Sequence, residues 1–158
     1  MLITTSRKPS QRTRSFCKDL NRVIDSEYVN RGKMSLRNVL LKSSELGSTK
    51  TAVVSEVKGN PSRIDFYNEN GNPIISLDVT VSTSTSQERV KKKDLTLQCE
   101  FSDLKKLVEV FDIPESHLKE KNLLLIKKGD NERKAVIEFY GNNGIKTGPV
   151  IYIKNWKL

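Results

Sequence analysis

The residues with the most chemical capacity lie in two short segments near the N-terminus. Thr4-Thr5-Ser6-Arg7-Lys8-Pro9-Ser10 packs hydroxyls, a guanidinium and an ammonium into one strand-to-helix loop. Such groups suit phosphate oxygens, and a loop entering a helix adds backbone N–H groups and the positive end of the helix dipole. Arg12, Arg14, Lys18 and Arg22 carry the charge along the helix that follows, and Asn30-Arg31-Gly32-Lys33 forms a second basic loop directly before a second helix. Ser6, Arg7, Lys8, Arg12, Arg14, Arg31 and Lys33 are therefore the expected phosphate contacts. The chemistry is the gripping of a polyphosphate chain rather than bond breaking.

The charge of the whole chain points the same way. Its 158 residues carry 28 Lys and Arg against 19 Asp and Glu, a net charge of +9. Residues 1–50 hold 11 of the cations and four of the acids, so nearly all of the excess lies in the first third. A basic surface of this kind draws polyanions. Apolar residues make up 35%, enough for a core. The longest apolar runs are about four residues, far short of the ~20 of a membrane helix, and no signal-peptide pattern follows Met1. A soluble, cytoplasmic protein is expected.

Catalytic and metal-binding signatures are sparse. A hydrolytic triad needs a histidine, and the single one, His117, sits in the charged segment PESHLKEK. Two cysteines, Cys17 and Cys99, make neither a disulfide framework nor a zinc site and read as core residues. The loop GNNGIKTG, 141–148, lacks the Lys-Ser/Thr pair opening a helix and reads as a plain β-loop. Asp65 and Glu138 recur at matching positions and read as structural. Tyr67, Tyr140, Tyr152 and Trp156 read as packing residues rather than base-stacking ones. No enzyme activity, cofactor or metal is expected.

The elements that would position the basic loops follow from periodicity. Phe16, Cys17, Leu20, Val23 and Ile24 form one helical stripe, with Pro9 suited to the first helical position and Lys8 kept outside it. Ser35 caps a second helix, with Leu36, Val39 and Leu40 inside and Gly47 as the stop. Strands are predicted at Leu2 to Thr4, Thr51 to Val57, Arg63 to Tyr67, Ile74 to Val81, Leu95 to Phe101, Leu123 to Lys127, Ala135 to Tyr140 and Val150 to Ile153. In the second half Ser102 caps a helix from Asp103 to Phe111, and Pro114 to Lys119 adds a short helical turn.

The chain also repeats itself. SRIDFYNENG at 62–71 parallels AVIEFYGNNG at 135–144, with Ile64/Ile137, Phe66/Phe139, Tyr67/Tyr140, Asn70/Asn143 and Gly71/Gly144 identical. The expected fold class is α/β with a mixed sheet. It is built by internal duplication from halves 1–82 and 94–158, each a strand, helices and a β-meander, joined by the polar, basic loop 83–93.

The run LITTSRKPSQRTRSFCKDL, with NRGKMSL, VVSEVKGNPSRIDFYN and the late GPVIYI, resembles the Brix-domain family of ribosome-biogenesis proteins, and its small size is similar to the archaeal single-domain members. The resemblance spans essentially the whole chain. It implies a duplicated fold whose halves are similar to the anticodon-binding domain of class IIa aminoacyl-tRNA synthetases. It also implies a non-enzymatic role in ribosomal RNA processing and subunit assembly through RNA binding. The family motif falls on Ser6, Arg7, Pro9 and Ser10 and on Asn30, Arg31 and Gly32, which completes the candidate RNA-binding set. Implied partners are ribosomal RNA or its precursor and other assembly proteins, without a small-molecule substrate or a membrane. The second half has no TTSRKPS-like loop. The alternative reading is a protein-interaction adaptor in ribosome assembly without direct RNA contact.

Overall fold

The first helix begins two residues later than Pro9 predicts. In the computed structural model, which describes residues 1–84, 86–116 and 122–158, α1 spans Gln11–Ile24 and Ser10 is its N-cap. Ser10 keeps an extended backbone, and its hydroxyl accepts a hydrogen bond from the Thr13 N–H. The cap hydroxyl, rather than the fixed φ of proline, sets the start, so Pro9 lies outside the helix. Lys8 is outside as well, in the left-handed region at φ 53°. The predicted stripe is buried in full, and Asp25 closes α1: its N–H donates to the Asn21 carbonyl, and its left-handed φ of 50° turns the chain so that the Ser26 N–H reaches the same carbonyl at 3.4 Å.

The second helix, α2, spans Leu36–Glu45 with Ser35 as N-cap, its hydroxyl accepting from the Asn38 N–H. Val39 is fully buried, but Leu36 is not inside: it is 36% exposed. This short helix buries only a narrow stripe, and beside Val39 the buried position is Ser43, whose hydroxyl accepts from Thr51.

Nine strands of the described residues form one mixed sheet. They are β1 (Leu2–Thr5), β2 (Glu27–Tyr28), β3 (Lys50–Val57), β4 (Asn60–Asn68), β5 (Pro73–Ser82), β6 (Thr96–Cys99), β7 (Leu123–Lys128), β8 (Ala135–Tyr140) and β9 (Val150–Lys157), in the order β2-β1-β3-β4-β5-β9-β8-β7-β6. β1 runs parallel to β2 and β3, and β6 parallel to β7; the remaining pairs are antiparallel. The order β1-β3-β4-β5 is mirrored by β6-β7-β8-β9, and β5 pairs with β9 at the centre. Ile64 faces Val54 and Leu77 in one half; Ile137 faces Ile126 and Ile151 in the other. β9 extends past the predicted Ile153 because Leu77 and Ser76 of β5 pair with Trp156 and Lys157.

The second-half helix is shorter than predicted. A 3₁₀ turn, Ser102–Leu104, precedes α3, Lys106–Phe111. Ser102 makes no capping bond; it is the first residue of the 3₁₀ turn rather than the cap of a long helix. Leu107, Val110 and Phe111 of α3 are buried, and Phe111 meets Phe66 of β4 edge-on with ring centroids 5.9 Å apart. Residues 114–116 run along β6, where Leu97 N–H donates to Pro114 and Ser116 N–H donates to Leu97. The remainder of the predicted turn, with His117, lies outside the described residues.

α1 and α3 share one continuous apolar core with Ile3, Val54, Ile64, Phe66, Leu77, Leu124, Ile137 and Phe139 on one face of the sheet. Leu2, Val39 and Val53 are buried outside that core, and α2 packs on β3. Strand alternation therefore puts α2 over the opposite face at the β1–β3 end. The segment 83–93 is anchored: Val90 is buried and its N–H donates to the Arg22 carbonyl. Cys17 is buried in the core, where burial pushes its thiol up to about 12; Cys99 is half-buried against the core. No helix of the described residues is long and apolar enough to cross a membrane.

Candidate nucleic-acid interface

β1 delivers both basic loops to one place. It leaves the sheet at Thr5, and Ser6 N–H donates to the Val54 carbonyl, extending the β3 pairing by one residue. The loop before α2 reaches the same point through β2, which pairs parallel to β1 with Ile3 opposite Tyr28. Val29 N–H then donates to the Ile3 carbonyl, and the Thr4 hydroxyl donates to Val29. β2 is absent from the sequence reading, and it is what brings the loops together.

Arg31 fastens them. Its Nη1 donates to the Thr5 carbonyl and its Nε to the Met34 carbonyl, both at 2.8 Å. Arg7 approaches the same Met34 carbonyl at 3.4 Å. Burial, and then the neighbouring Arg7 guanidinium, lower Arg31 from the ordinary arginine value. Two like charges held this close leave a site that favours an anion between or over them. Gly32 has φ 53° with open space around its Cα, so the turn presents its backbone to solvent.

Lys8, Pro9, Arg14, Tyr28, Asn30, Arg31 and Gly32 line one shallow depression of about 370 Å³. It joins the TTSRKPS loop, α1 and the NRGK loop. Tyr28, which sequence reasoning missed, lines it and donates to Asn30 Oδ1 at 3.2 Å. Among the described residues, Arg7, Lys8, Arg14, Arg31 and Lys33 make no ion pair with a carboxylate. The cations of the depression are thus not salt-bridged among the described residues, and the nearest acid shown to act on them is Glu56, which lies within electrostatic reach of Arg14.

Other members of the set sit elsewhere or are engaged within the chain. Arg12 and Arg14 lie on different sides of α1, and Arg12 Nη2 reaches the Val81 carbonyl at 3.4 Å, away from the depression. Lys33 is exposed at the tip of its loop and does not line the depression. Ser10 is engaged by Glu56 of β3. Ser10 N–H donates to Glu56 Oε2 at 2.9 Å, the Ser10 hydroxyl lies 2.9 Å from the same oxygen, and the Thr13 hydroxyl also donates to it. The Thr13 and Ser10 hydrogen bonds hold the Glu56 carboxyl below the ordinary glutamate value. The positive end of α1 thus already has an anion, supplied from 46 residues away in the chain. No local sequence signal marks Glu56 for this, because only the β1–β3 pairing places it there.

In the second half Glu138, 2% exposed, accepts ion pairs from Lys127 and Lys146, and Asp65 accepts from the Ser76 hydroxyl. Both repeated acids are therefore engaged within the chain. Among the described residues no group of His, Cys, Asp and Glu side chains could hold a metal ion.

No family model matches the chain. A probable Brix domain-containing ribosomal biogenesis protein of Methanothermobacter thermautotrophicus is 58% identical over 71 residues, 45% of this chain and 43% of that protein. One of Methanococcus maripaludis is 38% identical over 120 residues, 76% of this chain and 65% of that protein. The matched stretches thus span between 43% and 65% of the length of these two relatives. The crystal structure of Mil, an archaeal Imp4-like protein, superposes with a TM-score of 0.81 at 34% identity, covering 100% of this chain and 99% of that one. A probable ribosomal biogenesis protein from Aeropyrum pernix superposes with a TM-score of 0.81 at 27% identity, covering 98% and 94%. The chain belongs to the archaeal Brix-domain, Imp4-like family of ribosomal biogenesis proteins.

Proposed function

We propose that the chain binds ribosomal RNA or its precursor during ribosome biogenesis, in rRNA processing and subunit assembly, as a binding factor and not an enzyme. The carrying observation is the convergence of the two basic loops on one depression around Lys8, Arg14 and Arg31, none of them in an ion pair among the described residues. In this reading Arg7, Lys8, Arg14, Arg31 and Lys33 contact phosphates. Ser6, Pro9, Ser10, Asn30 and Gly32 shape the loops that carry them, and Arg12 adds charge from the far side of α1. Relatives described as ribosomal biogenesis proteins support the role, which in a cell of archaeal type is cytoplasmic.

The architecture behind this site is read as one domain, 1–158, duplicated from halves 1–82 and 94–158 across the connecting segment 83–93. The mirrored strand order and the equivalent registers of Ile64 and Ile137 support that reading. The similarity of each half to the anticodon-binding domain of class IIa aminoacyl-tRNA synthetases stays part of the proposal. Other assembly proteins are proposed as further partners.

The test is filter binding of structured rRNA fragments to wild type and to the Arg7→Ala, Lys8→Ala, Lys33→Ala triple variant. All three side chains are exposed, so stability should change by less than ~0.5 kcal/mol per site. Affinity should fall at least about tenfold, since each lost phosphate contact removes released counterions. Undiminished binding would leave the adaptor reading in its place.

A further inference from the structure

The second half lacks a TTSRKPS-like loop, yet it carries a different cationic surface. α1 and α3 occupy one face of the sheet, and α2 covers only the β1–β3 end of the other. No described helix covers β9, β8 and β7 on that second face. Strand alternation assigns Tyr152 and Lys154 of β9, Glu138 of β8 and Lys127 of β7 to it. Lys146 reaches the same face by pairing with Glu138, and the Arg133 guanidinium lies 4.0 Å from the centre of the Tyr152 ring. Lys127, Lys146, Lys154 and Arg133 thus outnumber the acids of this face: Glu138 is buried beneath Lys127 and Lys146, and Asp130 of the β7–β8 turn lies within electrostatic reach of Arg133.

From this juxtaposition of an aromatic ring, a guanidinium lying over it and an excess of cations on a sheet face that no described helix covers, we propose a second RNA-binding surface, specific for single strands. Unpaired bases expose flat faces that stack on a tyrosine ring or an arginine plane, and the strand's phosphates are met by the surrounding cations. A double helix keeps its bases stacked inside and offers only its backbone. The buried Glu138 helps the site rather than opposing it. It pins the Lys127 and Lys146 stems in place, and the two lysines leave one net positive charge above it. The proposal extends the RNA reading to a separate surface and stands without the N-terminal depression.

Lys127 and Lys146 are poor test positions, because removing either would leave the Glu138 charge underpaired in a buried site. Arg133 and Lys154 are exposed and Tyr152 is half-buried. The experiment is fluorescence anisotropy with the full chain, using a single-stranded RNA of roughly 12 nucleotides and a duplex of the same length. Tyr152→Leu should weaken single-strand binding by about tenfold, the scale of one lost base stack, and leave duplex binding within about twofold. The Arg133→Ala, Lys154→Ala double variant should weaken single-strand binding comparably. It also carries the test if a thermal melt shows that Tyr152→Leu does not fold. The proposal is overturned if the folded variants bind the single strand as wild type does, or if Tyr152→Leu weakens single strand and duplex equally. The triple variant of the N-terminal loops separates the two readings: unchanged binding there ends the depression hypothesis, while the loss from Tyr152→Leu remains.

Discussion

The Arg31 guanidinium donates to the Thr5 carbonyl at 2.8 Å, joining residues 26 apart in sequence across the ends of two loops. A second donation, to the Met34 carbonyl, uses another arm of the same planar fork. Arg31 is thus a structural clasp as well as a cation.

Arg31→Lys keeps the charge and loses the fork, because an ammonium cannot reproduce two donations in fixed directions. We expect a stability loss of about 1–3 kcal/mol, the scale of hydrogen bonds made by a charged donor. Urea denaturation measures it. RNA affinity should also fall. Lys33→Ala should lower affinity too, but without the loss of stability, because its exposed ammonium fastens no other part of the chain.

Glu56 and Glu138 predict the acid limb of stability. Hydrogen bonds from Thr13 and Ser10 lower the folded-state value of Glu56. Burial pushes Glu138 upward, but the Lys127 and Lys146 hydrogen bonds outweigh it and leave that carboxyl lowered as well. Near the ordinary glutamate value the unfolded chain therefore binds more protons than the folded one. The stabilisation is present above that value and is lost as pH falls through the folded values. Glu138→Gln should flatten the fall in melting temperature below about pH 4.3. A curve that keeps the wild-type steepness would show that this pair does not set the limb.

Glu56→Ala removes the carboxylate at the start of α1 while leaving the Ser10 cap. The expected cost is about 1 kcal/mol, typical of an N-terminal anion or cap, read from thermal unfolding. An added phosphate ion should then recover part of the loss, because the helix end is freed for an external anion.

Gly148 allows the β8–β9 loop to cross closely over the core. A Cβ there would stand 2.7 Å from the Phe139 Cβ and 2.9 Å from Val23 Cγ1, both on buried side chains. Gly148→Ala should cost about 1–3 kcal/mol by overpacking. Gly144→Ala has no such neighbour, but its φ of 75° still strains the new residue, so a smaller loss is expected there.

The sequence made some of these features legible and hid others for physical reasons. The stripe from Phe16 to Ile24, the Ser35 cap and the alternation from Ile75 to Val81 are local patterns, and each forms as read. The start of α1 shifts because a cap hydroxyl competes with proline's preference, and the outcome depends on Thr13. The two-residue β2 carries no periodicity; it exists because Glu27 and Tyr28 fall beside β1. The β5–β9 pairing and the Glu56 contact at α1 likewise depend on sheet order, which no short window contains. For the binding set, residue types identified the cations, but only tertiary structure separates Arg14, which lines the depression, from Arg12, which does not.

The salt dependence of rRNA binding tests the central claim most directly. With about five phosphate contacts, from Arg7, Lys8, Arg14, Arg31 and Lys33, log affinity should fall against log salt with a slope of roughly −3.5 to −4.5. The triple variant at Arg7, Lys8 and Lys33 should be shallower by about two to three. A flat response in wild type, or an equal slope in the variant, would contradict the assignment of these loops to the phosphate backbone.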